Sequence, residues 1–420
     1  MKKQIASLIW LIAIIGFVIG CYGIYQRFAF GHRLTDYGSY IPWGLWVATY
    51  IYFIGLSAGS FLLSTLVYVV KIEKLEKIGK LSLFTAFGCL IAALISIWLD
   101  LGHEFRVYRV ILHPNFKSMM SWMGILYSSY FLVILFELWF AMRVDLIKTA
   151  SIGTGLIAAV CRFLALGSSD TSDKSRARDS RVLKVLGSIG VPLAIAFHGG
   201  VGMLFAVVGA RTYWHSGLTP IVFLVGALAS GGALLTAIVY VWGPDRNRPQ
   251  FEDMMRFLGK IVLSLVLLDL LFEISEYFVG MYAGIPDEAI PIKAVLFGHY
   301  WYVFWVVHVL FGVIVPVWIF TRNAVSRPVG KTSPGAIAFA ALLVAVTFMA
   351  LRLNIVIPAQ INPEIEGLQY AFMGPGLNYT YLPTVSEWLV TIWITSFGLL
   401  LFLIGYNVLP IVNKDDKEVA

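Results

Sequence analysis

Residues 43–70 read WGLWVATYIYFIGLSAGSFLLSTLVYVV, a stretch without a single Asp, Glu, Lys or Arg. A run of about 20 apolar residues is long enough to cross the hydrocarbon core of a bilayer as an α-helix. Only helices and closed barrels satisfy every backbone hydrogen bond in lipid, and a continuous apolar run of this length is typical of a helix. This stretch therefore predicts a membrane-spanning helix.

Nine further stretches follow the same rule. The chain has 420 residues, of which 59% are hydrophobic and only 13% are charged, whereas about 25% of the residues of a soluble domain are charged. We therefore expect an all-α integral membrane protein with ten transmembrane helices. The predicted spans are residues 5–26, 43–70, 79–99, 118–142, 183–210, 217–242, 257–282, 296–321, 335–357 and 384–411.

The distribution of Lys and Arg predicts the orientation. With a cytoplasmic N-terminus, 23 of the 31 Lys and Arg residues fall in cytoplasmic segments and 8 fall on the other side. Because cytoplasmic segments carry an excess of these residues, we expect both termini in the cytoplasm. The net charge of +7 then reflects topology and does not indicate nucleic-acid binding. The segments counted as cytoplasmic are 2–3, 71–80, 143–184, 246–260, 322–331 and the tail after residue 411.

The longest cytoplasmic piece is the predicted linker 143–182. Its apolar part, Ile152 to Leu166, is too short to span a bilayer, so we expect it to lie in the interface or against the helices. Its polar part, Ser168 to Arg181, is rich in Ser, Asp, Lys and Arg and predicts a flexible linker.

Metal-binding patterns are not apparent in the sequence. The three cysteines, Cys21, Cys89 and Cys161, lie far apart and form no spacing typical of a disulfide framework, a zinc site or an iron–sulfur cluster. His299 and His308 share a predicted span, but a separation of nine residues puts them on opposite faces of an α-helix, which argues against a haem between them. We therefore expect this chain to hold no metal or haem.

The main polar cluster follows the third span. Asp100-Leu101-Gly102-His103-Glu104-Phe105-Arg106 is followed by His113 and Trp122, at what should be the outer membrane surface. Ionisable groups at membrane depth are costly and usually mark a functional site. Asp100 and His103 are three residues apart, so they lie near one another if the helix continues. The alternative is a salt-bridge cap that only anchors the end of the span.

A second set of acids lies inside the seventh span. Asp269, Glu273 and Glu276 follow the spacing i, i+4, i+7, which puts them on one face of a helix. They favour a proton relay, and the alternative is a buried ion-pair network with Arg352. The more isolated Glu137 and Glu387 are expected to be hydrogen-bonding groups or anchors at helix ends.

Several short motifs, taken together, resemble the NrfD/polysulfide reductase (PsrC) family of membrane subunits. Their order also resembles the longer branch that includes HybB, DsrP and the membrane subunits of alternative complex III. The motifs are Pro42-Trp43-Gly44-Leu45-Trp46, Gly55-Leu56-Ser57-Ala58-Gly59, Asp100-Leu101-Gly102, His113-Pro114-Asn115, Ser121-Trp122, Pro192-Leu193-Ala194-Ile195, His198, Ala227-Leu228-Ala229-Ser230-Gly231, Leu351-Arg352-Leu353-Asn354 and Glu387-Trp388.

The resemblance implies an architecture of two four-helix bundles with additional flanking helices, and a quinone site in the first bundle. The small-residue patches Gly55–Ser60 and Ser230–Ala233 are expected to serve helix packing. The implied division is residues 1–42 for the first span and an outer loop, 43–211 for the first bundle, 212–357 for the second bundle with its acids, and 358–420 for an outer loop, the tenth span and a cytoplasmic tail.

The resemblance also implies a function. The chain would be the quinone-reacting subunit of a respiratory oxidoreductase in the bacterial cytoplasmic membrane, with menaquinone as its expected substrate. It would exchange electrons with a periplasmic, four-cluster, ferredoxin-like iron–sulfur protein. A catalytic subunit of molybdopterin, hydrogenase or multihaem cytochrome type would complete the complex.

In this hypothesis, Asp100 and His103 take or supply the quinone protons, because a group with a pKa near the working pH serves best. Tyr108, Trp214 and the segment 370–381 are expected to contact the partner, and Asp269, Glu273, Glu276 and Arg352 form the relay. The expected quinone-binding residues are Trp46, Tyr50, Arg106, His113, Trp122 and His198.

Two other classes of protein stay open on the residues alone. Ten spans, acids within the membrane and glycine-interrupted helices also fit a secondary transporter, although no internal repeat is apparent. A membrane anchor without redox function is the third interpretation. A copurifying iron–sulfur partner would favour the redox subunit, and solute uptake by the chain alone would favour the transporter.

Overall fold

The computed structural model describes residues 2–244, 249–372 and 374–412. Every regular element in these ranges is helical. Residues 303–326 form one long helix in which two π-helical stretches, Val303–Ile314 and Thr321–Ser326, flank a short α-helix. The α-helices are α1 (Lys2–Phe30), α2 (Leu45–Tyr68), α3 (Gly79–Asp100), α4 (Arg109–Leu112), α5 (Met119–Ile152), α6 (Gly155–Leu164), α7 (Asp173–Ala206), α8 (Thr219–Trp242), α9 (Pro249–Tyr282), α10 (Pro286–Phe297), α11 (Val315–Phe320), α12 (Pro334–Val356), α13 (Leu368–Ala371) and α14 (Val385–Val408).

In the described part of the chain, nine helices are long and apolar enough to cross a membrane. They correspond to nine of the ten predicted spans. The remaining span corresponds to α9, which has 34 residues but carries Lys260, Asp269, Glu273 and Glu276 along its apolar part. The count of ten spans and the sidedness of the termini therefore stay predictions. The predicted tail after residue 412 lies outside the described residues.

The long helices pack in two groups of four. In the first group α2 packs against α3 and α7, and α5 packs against α3 and α7. In the second group α12 packs against α8, α9 and the 303–326 helix, and α8 also packs against α9. Helices α1 and α14 pack against each other, and α14 also contacts α3, so this pair flanks the first group.

Helices α2 and α8 join the two groups at a close glycine contact. A Cβ on Gly59 would lie 2.5 Å from the Ala227 carbonyl oxygen and 2.7 Å from the Gly231 Cα. A Cβ on Gly231 would lie 2.6 Å from the Gly59 Cα. No side chain fits at either position, and small residues let the backbones approach this closely. The expected packing role of the two small-residue patches is confirmed.

A second glycine contact holds the flanking pair together. Gly16, Gly20 and Gly23 of α1 face α14, and a Cβ on Gly20 would lie 2.7 Å from the Trp393 Cα. Their spacing of four and three residues puts them on one side of α1. The remaining surface of α1 is largely exposed, with the side chains of Val18 and Tyr22 among those that face outward.

The predicted flexible linker over Ser168 to Arg181 is wrong from Asp173 onward, because α7 begins there. Ser172 caps the helix by accepting a hydrogen bond from the Ser175 backbone N–H. The fully buried Arg143 of α5 then holds this first part of α7, since its Nε donates to the Asp179 carboxylate at 2.8 Å. The apolar piece before it was expected to be too short to span, and it forms the short helix α6.

We refer below to the Asp100 end and the Lys71 end of the molecule. The Asp100 end contains the segments 31–44, 101–118, 207–218, 283–302 and 357–384, and the Lys71 end contains the segments 69–78, 153–172 and 327–333.

Candidate functional site

Helix α3 ends at Asp100, where Leu101 leaves the helical conformation with ψ of 134°. A helix leaves its last carbonyl groups without intrahelical partners. Arg27, near the end of α1, supplies partners here, because its guanidinium donates to the Leu99 carbonyl at 2.6 Å and to the Leu101 carbonyl at 2.6 Å. The same group lies 3.5 Å from the Glu104 carboxylate. The end of α3 is therefore fixed by a buried cation from another helix.

The expected pairing of Asp100 with His103 through a continuing helix is wrong, because α3 stops at Asp100. His103, Arg106 and His113 follow in exposed turns. Trp122 is 45% exposed at the start of α5, and its indole N–H donates to the Phe116 carbonyl. The structure thus does not bring these four side chains together with Trp46, which is fully buried.

Asp100 instead lies in an aromatic cluster with residues from the loop before α2. We call this the Asp100 cluster and define it as Arg27, His32, Tyr37, Trp46 and Asp100. The ring of His32 lies 5.7 Å from that of Trp46 and 5.8 Å from that of Tyr37. The Tyr37 hydroxyl lies beside the Asp100 carboxyl, and His32 lies against the Asp100 backbone.

Two polar atoms of the Asp100 cluster have no hydrogen-bond partner in the described part of the chain. They are Oδ1 of Asp100 and Nε2 of His32, and both are buried. Leaving a buried polar atom unpaired costs about 1–3 kcal/mol. Native structures keep few such atoms, so two of them within one cluster favour a place where a polar ligand or water is bound.

Sequence reasoning missed His32 and Tyr37. Both lie in the loop 27–42, which the predicted topology places outside, on the same side as Asp100. The available signal was that a His and a Tyr precede, within a few residues of the chain, the motif that contains Trp46. No spacing rule connects residues 32 and 100, because their proximity depends on the end of α1 meeting the end of α3 through the side chains of Arg27 and Phe28.

Glu387 of α14 closes this region from the other side. One carboxylate oxygen accepts the Asp36 backbone N–H at 2.7 Å, and the other accepts the Tyr381 hydroxyl. The backbone carbonyl of Glu387 accepts the indole N–H of Trp46 at 3.0 Å. Glu387 is therefore an anchor with its hydrogen bonds satisfied, as the sequence predicted for it.

The tyrosines of this region act as hydrogen-bond donors. Burial raises the pKa of Tyr37 well above its ordinary value, and the neighbouring Asp100 carboxylate adds to the shift. Burial and then the charge of Glu387 raise the pKa of Tyr381 in the same direction. Both phenols therefore stay protonated, and each can donate to a carboxylate or to a carbonyl oxygen.

Tyr50 and His198 lie deeper in the first group of helices, one layer away from Trp46. His198 sits between two backbone carbonyls, with Nδ1 2.7 Å from the Ala194 oxygen and Nε2 3.0 Å from the Ile54 oxygen. The ring of Tyr50 lies 5.8 Å from that of Tyr127. All three side chains are buried. His198 therefore links α7 to α2 instead of facing the Asp100 cluster.

The acids of α9 form a second buried cluster. Glu273 accepts from or donates to His308 across 2.9 Å between Oε2 and Nε2. Sequence reasoning missed His308 as a partner, because the face of the helix on which it lies was predicted from α-helical periodicity. His308 lies in a π-helical stretch, where the extra residue per turn changes the face on which a side chain lies. We call Asp269, Glu273, His308 and Arg352 the Asp269 cluster.

Arg352 of α12 lies where the two groups of helices meet. A Cβ on Gly226 would lie 3.1 Å from its Nη2 and 3.2 Å from Oδ1 of Asp269. The guanidinium also lies over the ring of Phe223, at 5.0 Å. Four atoms of this cluster are buried without a partner in the described residues, one each from Asp269 (Oδ1), Glu273 (Oε1), His308 (Nδ1) and Arg352 (Nη1).

A cavity extends from the Asp269 cluster toward the Asp100 end of the molecule. Asp269, Glu273, Glu276 and Tyr213 line it. Tyr213 also lines a second cavity nearer the surface, together with Arg211, which pairs with Glu364 at 2.8 Å. Burial raises the pKa of Tyr213, and the charge of Glu276 adds to this shift. A protonated Tyr213 therefore separates the interior cavity from the surface one.

The surface around the Asp100 end exposes aromatic and basic side chains. Phe105 is 72% exposed and Tyr108 is 50% exposed, with Arg106 and Arg109 beside them. The expectation that Trp214 contributes to this surface is wrong, because Trp214 is 2% exposed and its indole donates to the Ile355 carbonyl at 2.7 Å. Across the described residues, no group of three or more His, Cys, Asp or Glu side chains has an arrangement that could hold a metal ion.

With this geometry established, the chain can be compared with known proteins. A family model described as "Polysulphide reductase, NrfD" matches residues 34–364. The chain belongs to the NrfD family. The resemblance carried by the sequence motifs is therefore confirmed.

Relatives within the NrfD family match nearly the whole chain. A selenate reductase subunit from Mesobacillus selenatarsenatis is 37% identical, over 100% of this chain and 96% of the relative. An Hdr-like menaquinol oxidoreductase integral membrane subunit from Archaeoglobus fulgidus is 28% identical, over 92% and 89%. A menaquinone reductase integral membrane subunit from Nitratidesulfovibrio vulgaris is 21% identical, over 94% and 89%.

The matched NrfD region contains both groups of four helices but not α1 or α14. It therefore includes Trp46, Asp100 and the whole Asp269 cluster. Arg27, His32 and Glu387 lie outside it. The Asp100 cluster is thus built partly from the NrfD region and partly from its flanks.

Proposed function

We propose that this chain is the quinone-reacting membrane subunit of a respiratory oxidoreductase in a bacterial cytoplasmic membrane. It exchanges electrons between a menaquinone-type quinone and an iron–sulfur protein docked on the periplasmic side. Two relatives, a menaquinol oxidoreductase subunit and a menaquinone reductase subunit, support the substrate class. The name of the selenate reductase relative supports assembly with a catalytic reductase subunit.

The observation that carries the proposal is the pair of unpartnered buried atoms in the Asp100 cluster. Oxidation of a quinol to a quinone releases two electrons and two protons, and reduction takes up the same number. Such a site needs an apolar slot and a proton-exchanging group near each ring oxygen. Oδ1 of Asp100 and Nε2 of His32 supply the two groups, and the rings of Tyr37 and Trp46 supply the apolar walls.

This proposal changes the roles assigned from sequence. Asp100 keeps its role and His32 replaces His103 as its partner. The exposed His103, Arg106 and His113 belong to the docking face, together with Phe105 and Tyr108. A basic, aromatic face of this kind favours a partner whose surface is acidic around its electron-exchanging centre.

The Asp269 cluster serves as the proton relay in this proposal. Its cavity extends through Glu276 to Tyr213 and from there to the surface cavity at the Asp100 end. The unpartnered atoms of Asp269 and Glu273 are the groups on which a proton or a water is held. The cluster would thereby link turnover to charge movement across the membrane.

Mass spectrometry of quinones extracted from the mildly purified complex tests the proposal. We expect about one quinone per chain in the wild type, and its loss in both Asp100→Asn and His32→Gln. The control is Asp287→Asn, which removes an exposed carboxylate at the same end and is expected to retain quinone.

Each outcome separates the interpretations. Quinone retained in both variants contradicts the assignment to the Asp100 cluster. A wild-type complex without quinone contradicts the redox function itself. If an iron–sulfur partner nevertheless copurified, the membrane-anchor interpretation would be favoured. Solute uptake by the chain alone would instead support the transporter.

A further inference from the structure

Glu137 of α5 is a buried carboxyl group that the proposed function has not used. It is fully buried, and neither of its oxygens has a hydrogen-bond partner in the described residues. The expectation that it is a hydrogen-bonding group of the bundle is therefore wrong. Glu387 offers the contrast, since both of its oxygens accept hydrogen bonds.

In the described part of the chain Glu137 forms no salt bridge, and mainly apolar groups lie beside its carboxyl group. Its Oε1 lies 3.3 Å from the position that a Cβ on Gly190 would take, and 3.9 Å from that of Gly187. Phe61 and Thr65 of α2 line the same space. An ionised carboxylate without a cation or a hydrogen bond is very costly in such a place. The group is therefore suited to hold a proton and to meet water.

A cleft of about 530 Å³ opens at the Lys71 end between α2, α5 and α7. Since a water occupies about 30 Å³ of liquid, the cleft has room for several waters. Its lining combines apolar side chains with the polar Tyr68 and Ser180 and with charged groups. The charged groups that face it are Lys71, Glu73, Glu76, Arg176 and Asp179.

Glu137 lies just beyond the inner end of this cleft. Phe140, which lines the cleft, is three residues from Glu137 on α5, or about 4.5 Å along the helix axis. Leu183 lines the cleft from α7, and Gly187 follows it by one turn. Tyr68 of the cleft wall is close enough to Glu137 for the two groups to interact electrostatically.

Buried polar groups continue from Glu137 toward the junction of the two helix groups. Tyr130 lies two turns earlier on α5, and its hydroxyl has no partner in the described residues. Its ring lies 5.9 Å from that of His198. His198 contacts the Ile54 carbonyl, and the next residue, Gly55, lies beside Arg352. His198 thus lies within the same region as Arg352 of the Asp269 cluster, with the backbone of Ile54 and Gly55 between them.

We propose that the cleft is the cytoplasmic entrance of a proton route and that Glu137 takes the proton from the water in it. The carboxylate accepts one proton from this water and becomes a carboxylate again when the proton moves on toward Tyr130 and His198. The inference rests on the proposed function, because that function supplies the reaction that consumes or releases protons. The proposed function already includes one half of a proton route, from the Asp269 cluster to Tyr213. The inference adds the other half, on the opposite side of the membrane.

Infrared spectroscopy of the intact complex tests the site without measuring turnover. We expect a protonated-carboxyl C=O band that shifts in D₂O, that Glu137→Gln lacks and that Glu137→Asp retains at a changed frequency. Leu183→Trp fills the cleft and is expected to slow the D₂O shift severalfold. Val185→Trp adds the same bulk to the exposed face of α7 and serves as its control.

In vesicles, Glu137→Gln is expected to lower quinol-driven proton uptake from the Lys71 end at least twofold, measured per electron. The control is Glu366→Gln, which removes an exposed carboxylate. A C=O band that is unchanged in Glu137→Gln overturns the site, and a D₂O shift unaffected by Leu183→Trp overturns the cleft as its entrance. Failure of the proposed function appears differently, as absence of electron transfer to quinone in the wild type.

Discussion

Buried carboxyl groups of this chain differ in whether their oxygens are paired. Both oxygens of Glu387 accept hydrogen bonds, from Tyr381 and from a backbone N–H. Asp179 pairs with Arg143 through Oδ2, but its Oδ1 is buried without a hydrogen-bond partner. Asp100, Glu137 and Asp269 each keep an unpaired buried oxygen as well. An unpaired oxygen therefore does not by itself separate these groups from a structural ion pair such as Asp179–Arg143, and the roles proposed for them rest also on the groups and cavities around them.

At this scale we predict the effect of Glu273→Gln. The substitution keeps the shape of the side chain but removes the negative charge that faces His308 at 2.9 Å. Proton translocation per electron is expected to fall at least twofold, because a neutral amide does not exchange a proton. The measurement is proton release from vesicles during quinol-driven turnover.

The same variant is expected to retain quinone, since the Asp269 cluster and the Asp100 cluster belong to different helices. Glu288→Gln, a substitution of a partly exposed carboxylate on α10, is the control for both measurements. Loss of quinone in Glu273→Gln would contradict the assignment of the relay to a separate site.

How well sequence predicts a residue's role depends on how far its partner lies along the chain. The acids of α9 were found because one helical face carries them all. Trp46 and Asp100 were found from motifs. His32 and His308 were missed, because the first meets Asp100 only through the packing of α1, and the second lies in a π-helical stretch. His103 was misassigned because no sequence signal marked the end of α3 at Asp100.

At the scale of elements, glycines determine which helices cross closely. The Gly59–Gly231 contact joins α2 to α8, and Gly20 joins α1 to α14. Sequence reasoning found the first pair, because the small residues are clustered in both helices. The bounds of the helices were harder to predict, since α7 begins at Asp173 because a buried arginine on α5 satisfies its polar first turns.

We therefore predict that Gly59→Val destabilises the protein. Its side chain would meet backbone atoms of α8 at less than 3 Å, so a helix must shift. Overpacking of this kind costs about 1–3 kcal/mol or more. The measurement is thermal unfolding of the purified protein in detergent, in which the variant is expected to unfold at a lower temperature.

The matched control is Gly88→Ala on α3, where a Cβ has no neighbour within 4 Å. This change is expected to be neutral or to stabilise the helix by up to about 1 kcal/mol. Equal unfolding temperatures for Gly59→Val and the wild type would contradict the close crossing.

For the whole molecule, the distribution of charge sets the orientation on which both proton proposals depend. The segments predicted to be cytoplasmic, which include those of the Lys71 end, carry 23 of the 31 Lys and Arg residues. The proposed docking face and the proposed exit at Tyr213 lie at the Asp100 end. The charge distribution predicts this orientation, and the cysteine experiment below tests it. The proposed proton path between the two groups of helices could not be predicted from the sequence, because it depends on how α2 and α8 cross.

We predict that cysteines placed at the two ends react on opposite sides of the membrane. Lys117→Cys, in the exposed turn before α5, is expected to be labelled in intact cells by a maleimide that does not cross membranes. Lys174→Cys, exposed at the start of α7, is expected to react only after permeabilisation. The unsubstituted chain controls for Cys21, Cys89 and Cys161. The reverse pattern would contradict the orientation and exchange the two faces of the proton route.

The flanking pair has an evolutionary consequence. Helix α1 touches the rest of the molecule mainly through α14, and neither helix belongs to the matched NrfD region. Yet this pair supplies Arg27 and Glu387, and the adjoining turn supplies His32, to the cluster around Asp100. Substitutions in the flanking pair can therefore alter the surroundings of Asp100 while the eight helices of the matched region are left unchanged. If Asp100 binds quinone as proposed, the flanking pair is where a preference for a different quinone could arise without a change in those eight helices.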